Sequence, residues 1–596
     1  MEYLKYILFL VLLGTSLSFA HDYSKVRKSP LLLGKYSGLY DDWWQNAVLY
    51  QIYPRSFKDS NNDGNGDLQG IIDKLDYFVT TGIDGVWLSP IYKSPQVDTG
   101  YDISDFKDVD PIYGSLEDLK LLVNEAHKRN LKFILDYVPN HTSDHHAWFL
   151  ASVNGTAPYD DYYIWKNASY VNGTRTPPNN WLSYFGGSAW EWNDQRQQYY
   201  LHQFSIAQPD LNYRNPKVVE EMKNVLRYWL DFGVDGFRMD AVVALFEDEF
   251  FRDEPLANNT SVSADNHDFL DHIYTNNLNE TYELIYQFRD LLEEFNANNS
   301  NLSTRIMMTE VYANLEDTMR YYVSDDNTRL GAHFTFNFIT FIQETKMNFT
   351  AMELAHNIML FDFNVPFGST PNWVLGNHDN TRVSTRLGVE NVDAFNMLIA
   401  LLPGVQITYQ GEEIGQENGE VTCEQGYDPQ AIKNCSTFSE TSRDFERTPF
   451  QWNNSTNAGF NDGHSAWLPV SKKYLNTNLA AQDISGLDSH YNIYKTAVQV
   501  KKEFKIVRDI ETLSWGGNIE GVFYFRRSID DRVDYAGLFN VADQSQFVTN
   551  FVLQNFTMEI VAKSLNSQYN IGDFFNYSLP LLPRESFLMK LTDQNK

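Results

Sequence analysis

Short apolar runs that end in a carboxylate constrain this chain more than any other feature. Gly236 to Val242 reads GFRMDAV and delivers Asp240, TEVY delivers Glu310, and GNHDN delivers Asp379. A β-strand carrying an ionisable group at its C-terminal end is poor core design, because burying a charge is costly. It is, however, the expected way to mount acids on a parallel barrel, whose active site lies at that face. A single Asp after an apolar run reads as a turn or a helix cap. Three such runs, one with Arg238 and one with His378 close by, point to a shared site.

Apolar strand-like runs recur with amphipathic helices between them. The strands expected are Val48 to Tyr53, Gly85 to Pro90, Phe133 to Val138, Gly236 to Met239, Ile306 to Thr309, Phe334 to Phe338, Trp373 to Leu375 and Val405 to Tyr409. Helical periodicity marks Leu116 to Arg129, Pro216 to Phe232 and Asn279 to Phe295. Alternation of this kind predicts an α/β fold, a (β/α)8 TIM barrel. From Asn140 to Gln208 the helical pattern is replaced by Trp, Tyr, Asn and Gly with many turn signals, which predicts a loop-rich subdomain inserted after the third strand. After about Lys502 short alternating strands predict a C-terminal antiparallel β domain. The expected division is therefore a leader over 1–20, barrel over 21–139 and 209–502, the insertion over 140–208, and the β domain over 503–596.

At 596 residues the chain exceeds one ordinary core, which agrees with that division. A formal charge of −31 argues against nucleic acid, whose recognition needs clustered Lys and Arg. The 36 Tyr, 40 Phe and 13 Trp supply flat apolar faces of the kind on which sugar rings stack. Lys5, the apolar run Ile7 to Leu13 and Ser18-Phe19-Ala20 read as a cleavable secretory signal, too short for a membrane span. No stable membrane span is expected elsewhere, so the mature protein is expected to be secreted. Sequons at Asn154, Asn167, Asn172, Asn258, Asn279, Asn301, Asn348, Asn555 and Asn576 agree with that compartment. Asn140 is also a formal sequon, but its place at a strand end predicts burial and no modification. The two cysteines, Cys423 and Cys435, are expected to form one disulfide closing a surface loop, without a role in chemistry.

Asp240, Glu310 and Asp379 satisfy what glycoside hydrolysis requires, a pair of carboxylates flanking the scissile bond. Arg238 lies two residues before Asp240, so on a strand both side chains share a face, and the cation would hold Asp240 ionised and aimed. His378 and Asp379 read as hydrogen-bonding clamps on sugar hydroxyls. His141, at the end of DYVPNH, is a candidate donor to the sugar, with a structural histidine as the alternative.

DYVPNH, GFRMDAV, TEVY and GNHDN, in that order, resemble the signature regions of the α-amylase superfamily, glycoside hydrolase family 13. QPDLNY (Gln208 to Tyr213) resembles its α-glucosidase and oligo-1,6-glucosidase branch, and TSRDFERTPFQW (Thr441 to Trp452) the secreted maltases of insects. The resemblance implies Asp240 as nucleophile, Glu310 as acid/base and Asp379 as transition-state stabiliser. It implies Tyr101 as a platform under the non-reducing glucose and Asp98 as a clamp on its outer hydroxyls. Arg447 is expected to pair with Asp98 and close the pocket at one glucose unit, with Arg443 as the alternative. Exo action on maltose, sucrose and short α-1,4 oligosaccharides, with retention and some transglucosylation, would follow. Ala241, after the nucleophile, favours α-1,4 and sucrose linkages over α-1,6.

Asp59, Asn61, Asp63, Asn65 and Asp67, with Gly64, reproduce most of an EF-hand calcium loop; Gly70 stands where that loop has Glu, and no helix precedes it. A polar βα loop is the alternative on pattern alone, and the resemblance implies a structural Ca2+ here. The glycines lack dinucleotide-binding spacing, so no organic cofactor is expected. Two rival classes are weighed. GNHD also occurs in metallophosphoesterases, whose upstream metal-binding elements this chain lacks in matching context. Amylase-like transporter heavy chains share the fold as non-enzymatic binding proteins, but they are membrane-anchored, and here all three carboxylates remain.

Overall fold

The structure, a computed structural model, describes residues 42–593 apart from 259–260, 343–349, 367, 464, 505–512, 515–517, 520, 530–532, 550–555 and 576–577. The expected leader and the sequons at Asn348, Asn555 and Asn576 lie outside the described residues.

Eight parallel strands form one sheet: β1 (Val48–Ile52), β2 (Gly85–Leu88), β3 (Lys132–Tyr137), β4 (Gly236–Met239), β5 (Ile306–Thr309), β6 (Phe334–Thr335), β7 (Asn372–Val374) and β8 (Val405–Tyr409). Apart from Lys132 every residue in them is buried, as strands covered by helices outside and side chains inside must be. Neighbours follow chain order, and β8 returns to pair with β1, Val48 opposite Gln406. Only β6 and β7 lack a ladder among the described strands of this ring. There the side chain of Asn372 substitutes for main-chain bonds. Its Nδ2 donates to the Thr335 carbonyl at 2.6 Å, and its Oδ1 accepts from the Asn337 N–H at 2.9 Å.

The expected sixth strand is cut short for a local reason. Asn337 caps a short helix, Phe338–Phe341, by accepting from the Thr340 N–H, which turns the chain out of the sheet. Among the outer helices, α1 (Leu116–Lys128) starts on a capping box from Ser115 and Asp118. The next, α2 (Pro216–Phe232), has Pro at its first turn and ends on left-handed Gly233, and α3 (Asn279–Asn298) follows.

Between 140 and 208 the chain forms a three-stranded sheet of Trp165–Lys166, Trp190–Asn193 and Gln198–Leu201, and a hairpin of Ser169–Val171 with Thr174–Thr176. Helix is not wholly missing there: Ala147–Val153 is helical, capped by His146. Of the expected sequons, Asn154, Asn167, Asn172, Asn258, Asn279 and Asn301 are exposed, whereas Asn140 is buried. The C-terminal antiparallel sheet contains β9 (Val522–Ile529), β10 (Val533–Phe539), β11 (Phe556–Lys563) and β12 (Ser586–Asp593). Phe523, Phe539 and Leu588 of that sheet share one apolar cluster with Phe395 and Leu398 of helix α4 (Val392–Leu401) and with β7 and β8. The fold is thus a (β/α)8 barrel with a C-terminal β domain.

Candidate active site

The strand-end carboxylates meet around one cation. Arg238 on β4 is fully buried, opposite Asp136 on β3 in the ladder register. Its Nη1 lies 2.9 Å from Asp136 Oδ1 and 2.5 Å from Asp240 Oδ1, and its Nη2 lies 2.5 Å from Glu310 Oε1. The backbone N–H of Ala241 donates to Glu310 Oε2 at 3.0 Å, from a left-handed conformation of φ 47° that turns the chain directly after Asp240. Trp87 from β2 lies under the guanidinium at 5.1 Å, a cation–π contact in a dry setting. Arg238 thus spans Asp240 and Glu310 and holds both against the barrel mouth.

The charge count has a chemical consequence. Three carboxylates share one guanidinium, and full ionisation would leave two buried negative charges uncompensated. Burial pushes the Asp240 carboxyl well above the ordinary carboxylate range, Arg238 opposes this, and the neighbouring Glu310 and Asp136 push it further up. Burial likewise pushes Asp136 up to about 6, against Arg238. Arg238 is thus the group that opposes protonation of both Asp240 and Asp136.

A second cluster faces the first from loops. Asp379 follows β7, and its side chain is 23% exposed against 10% and 8% for Asp240 and Glu310, so it is the most open of the three. Its Oδ1 is 2.7 Å from Arg447 Nη2 and 3.1 Å from Arg443 Nη1. Burial would raise its pKa, but the adjoining His378 ring and these two arginines hold it below the usual range and keep it ionised. Burial keeps His378 itself neutral. Gln51 donates to its Nδ1 at 2.8 Å, which places the ring proton on Nε2, 3.2 Å from Asp379 Oδ2. Tyr101 lies parallel to the His378 ring at 5.3 Å, its hydroxyl 2.7 Å from Nε2 and donating to Asp136 Oδ2 at 3.2 Å. His141 is buried and neutral, its pKa pushed down to about 3 by burial, and Gln208 Nε2 lies 3.1 Å from its Nε2.

One expected pairing is corrected. Asp98 is not joined to Arg447 but to Arg443, whose Nη2 is 2.9 Å from Asp98 Oδ1. Arg447 is committed elsewhere, donating from Nε to the His378 carbonyl at 2.8 Å and from Nη1 to Thr99 Oγ1 at 3.1 Å. Gln208 completes the Asp98 site, donating to Oδ2 at 3.0 Å. Arg447 remains in the site, four residues from Arg443, and the sequence spacing alone does not tell which of the two reaches Asp98.

Asp136, Gln208 and Asp428 are the residues that sequence reasoning did not assign. Asp136 could have been found, since it stands at the end of an apolar strand as Asp240 does. Asp428 carries no such signal.

In the loop after β1, the carboxylates of Asp59 and Asp67 take backbone N–H groups. Asp59 accepts from Asn62 and Gly64 at 2.7 and 2.9 Å, and Asp67 accepts from Gly70 at 2.6 Å while capping helix Leu68–Ile72. Asn61 and Asp63 also accept N–H groups of their own loop, and the Asn65 side-chain oxygen accepts from Arg55 Nε at 2.8 Å. Among the described residues no group of three or more His, Cys, Asp or Glu side chains converges as a metal site. The donor set is nonetheless all oxygen, the chemistry that hard cations take, and a cation here would use amide and backbone oxygens beside the carboxylates. Cys423 and Cys435 form a disulfide, with Cα atoms 5.5 Å apart.

Residues 51–509 match the alpha amylase catalytic domain. Maltase 1 of Drosophila virilis is 45% identical over 92% of this chain and 87% of its own length. A salivary alpha-glucosidase of Anopheles gambiae is 42% identical over 93% and 94%. Among solved structures, the alpha-glucosyl transfer enzyme XgtA superposes with a TM-score of 0.81 at 33% identity, over 92% of this chain and all of that one. With the barrel, the strand-end carboxylates and these relatives on one page, the chain belongs to the α-amylase family, the glycoside hydrolases of family 13.

Proposed function

We propose that the protein is a secreted, exo-acting, retaining α-glucosidase that releases glucose from maltose, sucrose and short α-1,4 oligosaccharides. The Arg443 bridge carries this reading. One guanidinium ties Asp98, from the loop between strands Tyr92–Lys93 and Asp105–Val109, to Asp379 after β7. That bridge puts a wall where an endo-acting enzyme needs an open cleft. The names of the insect relatives, maltase and alpha-glucosidase, agree with it.

In this reading Asp240 attacks the anomeric carbon while Glu310 gives its proton to the departing oxygen, and Glu310 then takes a proton from water as the glycosyl–Asp240 ester is opened. Two carboxylates gripped by the two ends of one guanidinium suit the close spacing of about 5 Å that double displacement needs. Asp379, ionised and clamped, binds sugar hydroxyls more tightly as the ring flattens. Tyr101, His141, His378 and Asp98 would line the glucose site. Transfer of the glucosyl group to a second sugar competes with water, in keeping with the transfer activity named for XgtA. We read the loop 59–67 as holding a structural calcium ion through Asp59, Asn61, Asp63, Asp67 and the Asn65 carbonyl, and the exposed sequons as glycosylated.

The test is a time course with maltose, sucrose and isomaltose followed by proton NMR. The α-anomer of glucose should appear first, with maltose or sucrose turned over well ahead of isomaltose. β-Glucose as the initial product would remove the retaining mechanism. Equal rates on isomaltose and maltose would remove the linkage preference.

A further inference from the structure

We infer that the disulfide-bounded loop 423–435 supports the substrate pocket, with Asp428 inside it as the positioning residue of Arg443. The inference deepens the proposed glucosidase reading, on which only its kinetic readout rests.

Asp428 is fully buried although it belongs to a surface loop. Its Oδ2 accepts from the Arg443 backbone N–H at 2.7 Å and from Nε at 3.0 Å, and its Oδ1 accepts from Nη2 at 2.7 Å. The carboxylate therefore grips the side edge of the guanidinium in a two-pronged contact, which fixes the plane as well as the position of the group. With that edge taken, the far end points one way, Nη2 to Asp98 at 2.9 Å and Nη1 to Asp379 at 3.1 Å. Phe185 closes one face of the guanidinium at 4.9 Å. The geometry of both sugar-facing carboxylates is set by a residue that touches neither.

Asp428 is in turn placed by its loop. Its N–H and that of Tyr427 both donate to Asp444 Oδ2, at 3.1 and 2.8 Å. From 423 to 435 the chain has no helix or strand, and Tyr427 and Ile432 are 44% exposed, so no ladder holds this path. The Cys423–Cys435 bond joins its two ends, across a separation of 12 residues. A covalent link thus stands in for secondary structure behind Arg443. In this inference the disulfide, which closes a surface loop as expected, also braces the pocket from behind.

The experiment uses the full-length secreted protein, its variants Asp428→Asn and Cys423→Ser/Cys435→Ser, and Glu424→Gln, an exposed acid of the same loop. With maltose, Asp428→Asn should lower kcat/KM about 100-fold, much of it through a higher KM, as a displacement of about 1 Å in a positioning group does. Cys423→Ser/Cys435→Ser should raise KM roughly threefold, and Glu424→Gln should match the unaltered protein. Hydrogen exchange at the Arg443 amide, which Asp428 receives, should quicken in Asp428→Asn; this readout decides the matter even if the unaltered protein cleaves no α-glucoside, an outcome that would sink the functional reading alone. Unaltered KM and exchange in Asp428→Asn would overturn the inference, as would a loss that merely tracks the unfolded fraction. Unaltered KM in the cysteine variant would overturn the role of the loop.

Discussion

Two arginine-centred clusters face each other across the barrel mouth, and they are built in opposite ways. Arg238 gathers Asp136 from within β3 and Asp240 and Glu310 from the first positions after β4 and β5. Arg443 and Arg447 gather Asp98, Asp379 and Asp428 from loops, and the Arg443–Asp98 contact spans 345 positions of sequence. The strand cluster has one cation for three acids, and burial raises Asp240 and Asp136 against it. The loop cluster has two cations for three acids: burial raises Asp98, Asp379 and Asp428 alike, and the arginines overcome it at Asp379 and Asp428 but not at Asp98. With more cations per carboxylate, two of the loop acids fall below their ordinary range, whereas Asp240 and Asp136 rise above theirs.

The largest break of this contrast is Asp240→Asn. It removes the proposed nucleophile from the strand cluster, and kcat should fall roughly 10⁴-fold in maltose hydrolysis, with the melting temperature little changed. Wild-type turnover would move the nucleophile elsewhere. A finer comparison sets Arg238→Lys against Arg447→Lys. An ammonium cannot span three carboxylates, so Arg238→Lys should cost about 10³-fold in kcat/KM and about 3 kcal/mol of stability in denaturant titration. Arg447→Lys keeps one charge near an open carboxylate and should cost about 10²-fold with a smaller stability loss. The reverse ranking would contradict the contrast between the clusters.

The smallest effect concerns pH. Burial pushes Glu412 and Glu446 up to about 8 from an ordinary value of 4.5, so each binds its proton more tightly in the folded chain. The stability tied to them is complete below pH 4.5 and is lost as pH rises through 8. Asp379 and Asp428, depressed from 3.8, act in the other sense, with stability present above 3.8 and lost as pH falls below it. The melting temperature should therefore decline by a few degrees (roughly 2–5 °C) from mildly acid pH to pH 8. Glu446→Gln, beside Arg447, should flatten the decline; an unaltered slope would rule out that carboxyl as its source.

The strand cluster was legible because strand periodicity is local. Arg238 and Asp240, two apart, must share a face, and seven of the eight expected strands reappear within about two residues at each end. The sixth, expected to reach Phe338, ends at Thr335 because Asn337 caps a helix, a choice made by one side chain rather than by a pattern. The loop cluster was only half legible. Asp379 was readable from its place after an apolar run, and Asp98 and Arg447 came through family resemblance, but nothing in the spacing says which arginine meets Asp98. Asp428 was invisible because it sits in a turn-rich loop where an acid ordinarily faces water. The disulfide was readable from its two cysteines, but what it braces was not.

The seam between β6 and β7 has a further consequence. Seven of the eight joints around the barrel are zips, and this one is a rivet, made by the side chain of Asn372. A zip shares load along its length, whereas a rivet holds two strands at one point. The strand next to the rivet is β7, which leads to His378 and Asp379. That strand is tied by a ladder on one flank only, to β8. Asp379 therefore follows a strand whose other flank is joined by a side chain, and Arg443 and Arg447 hold its carboxylate from the loops.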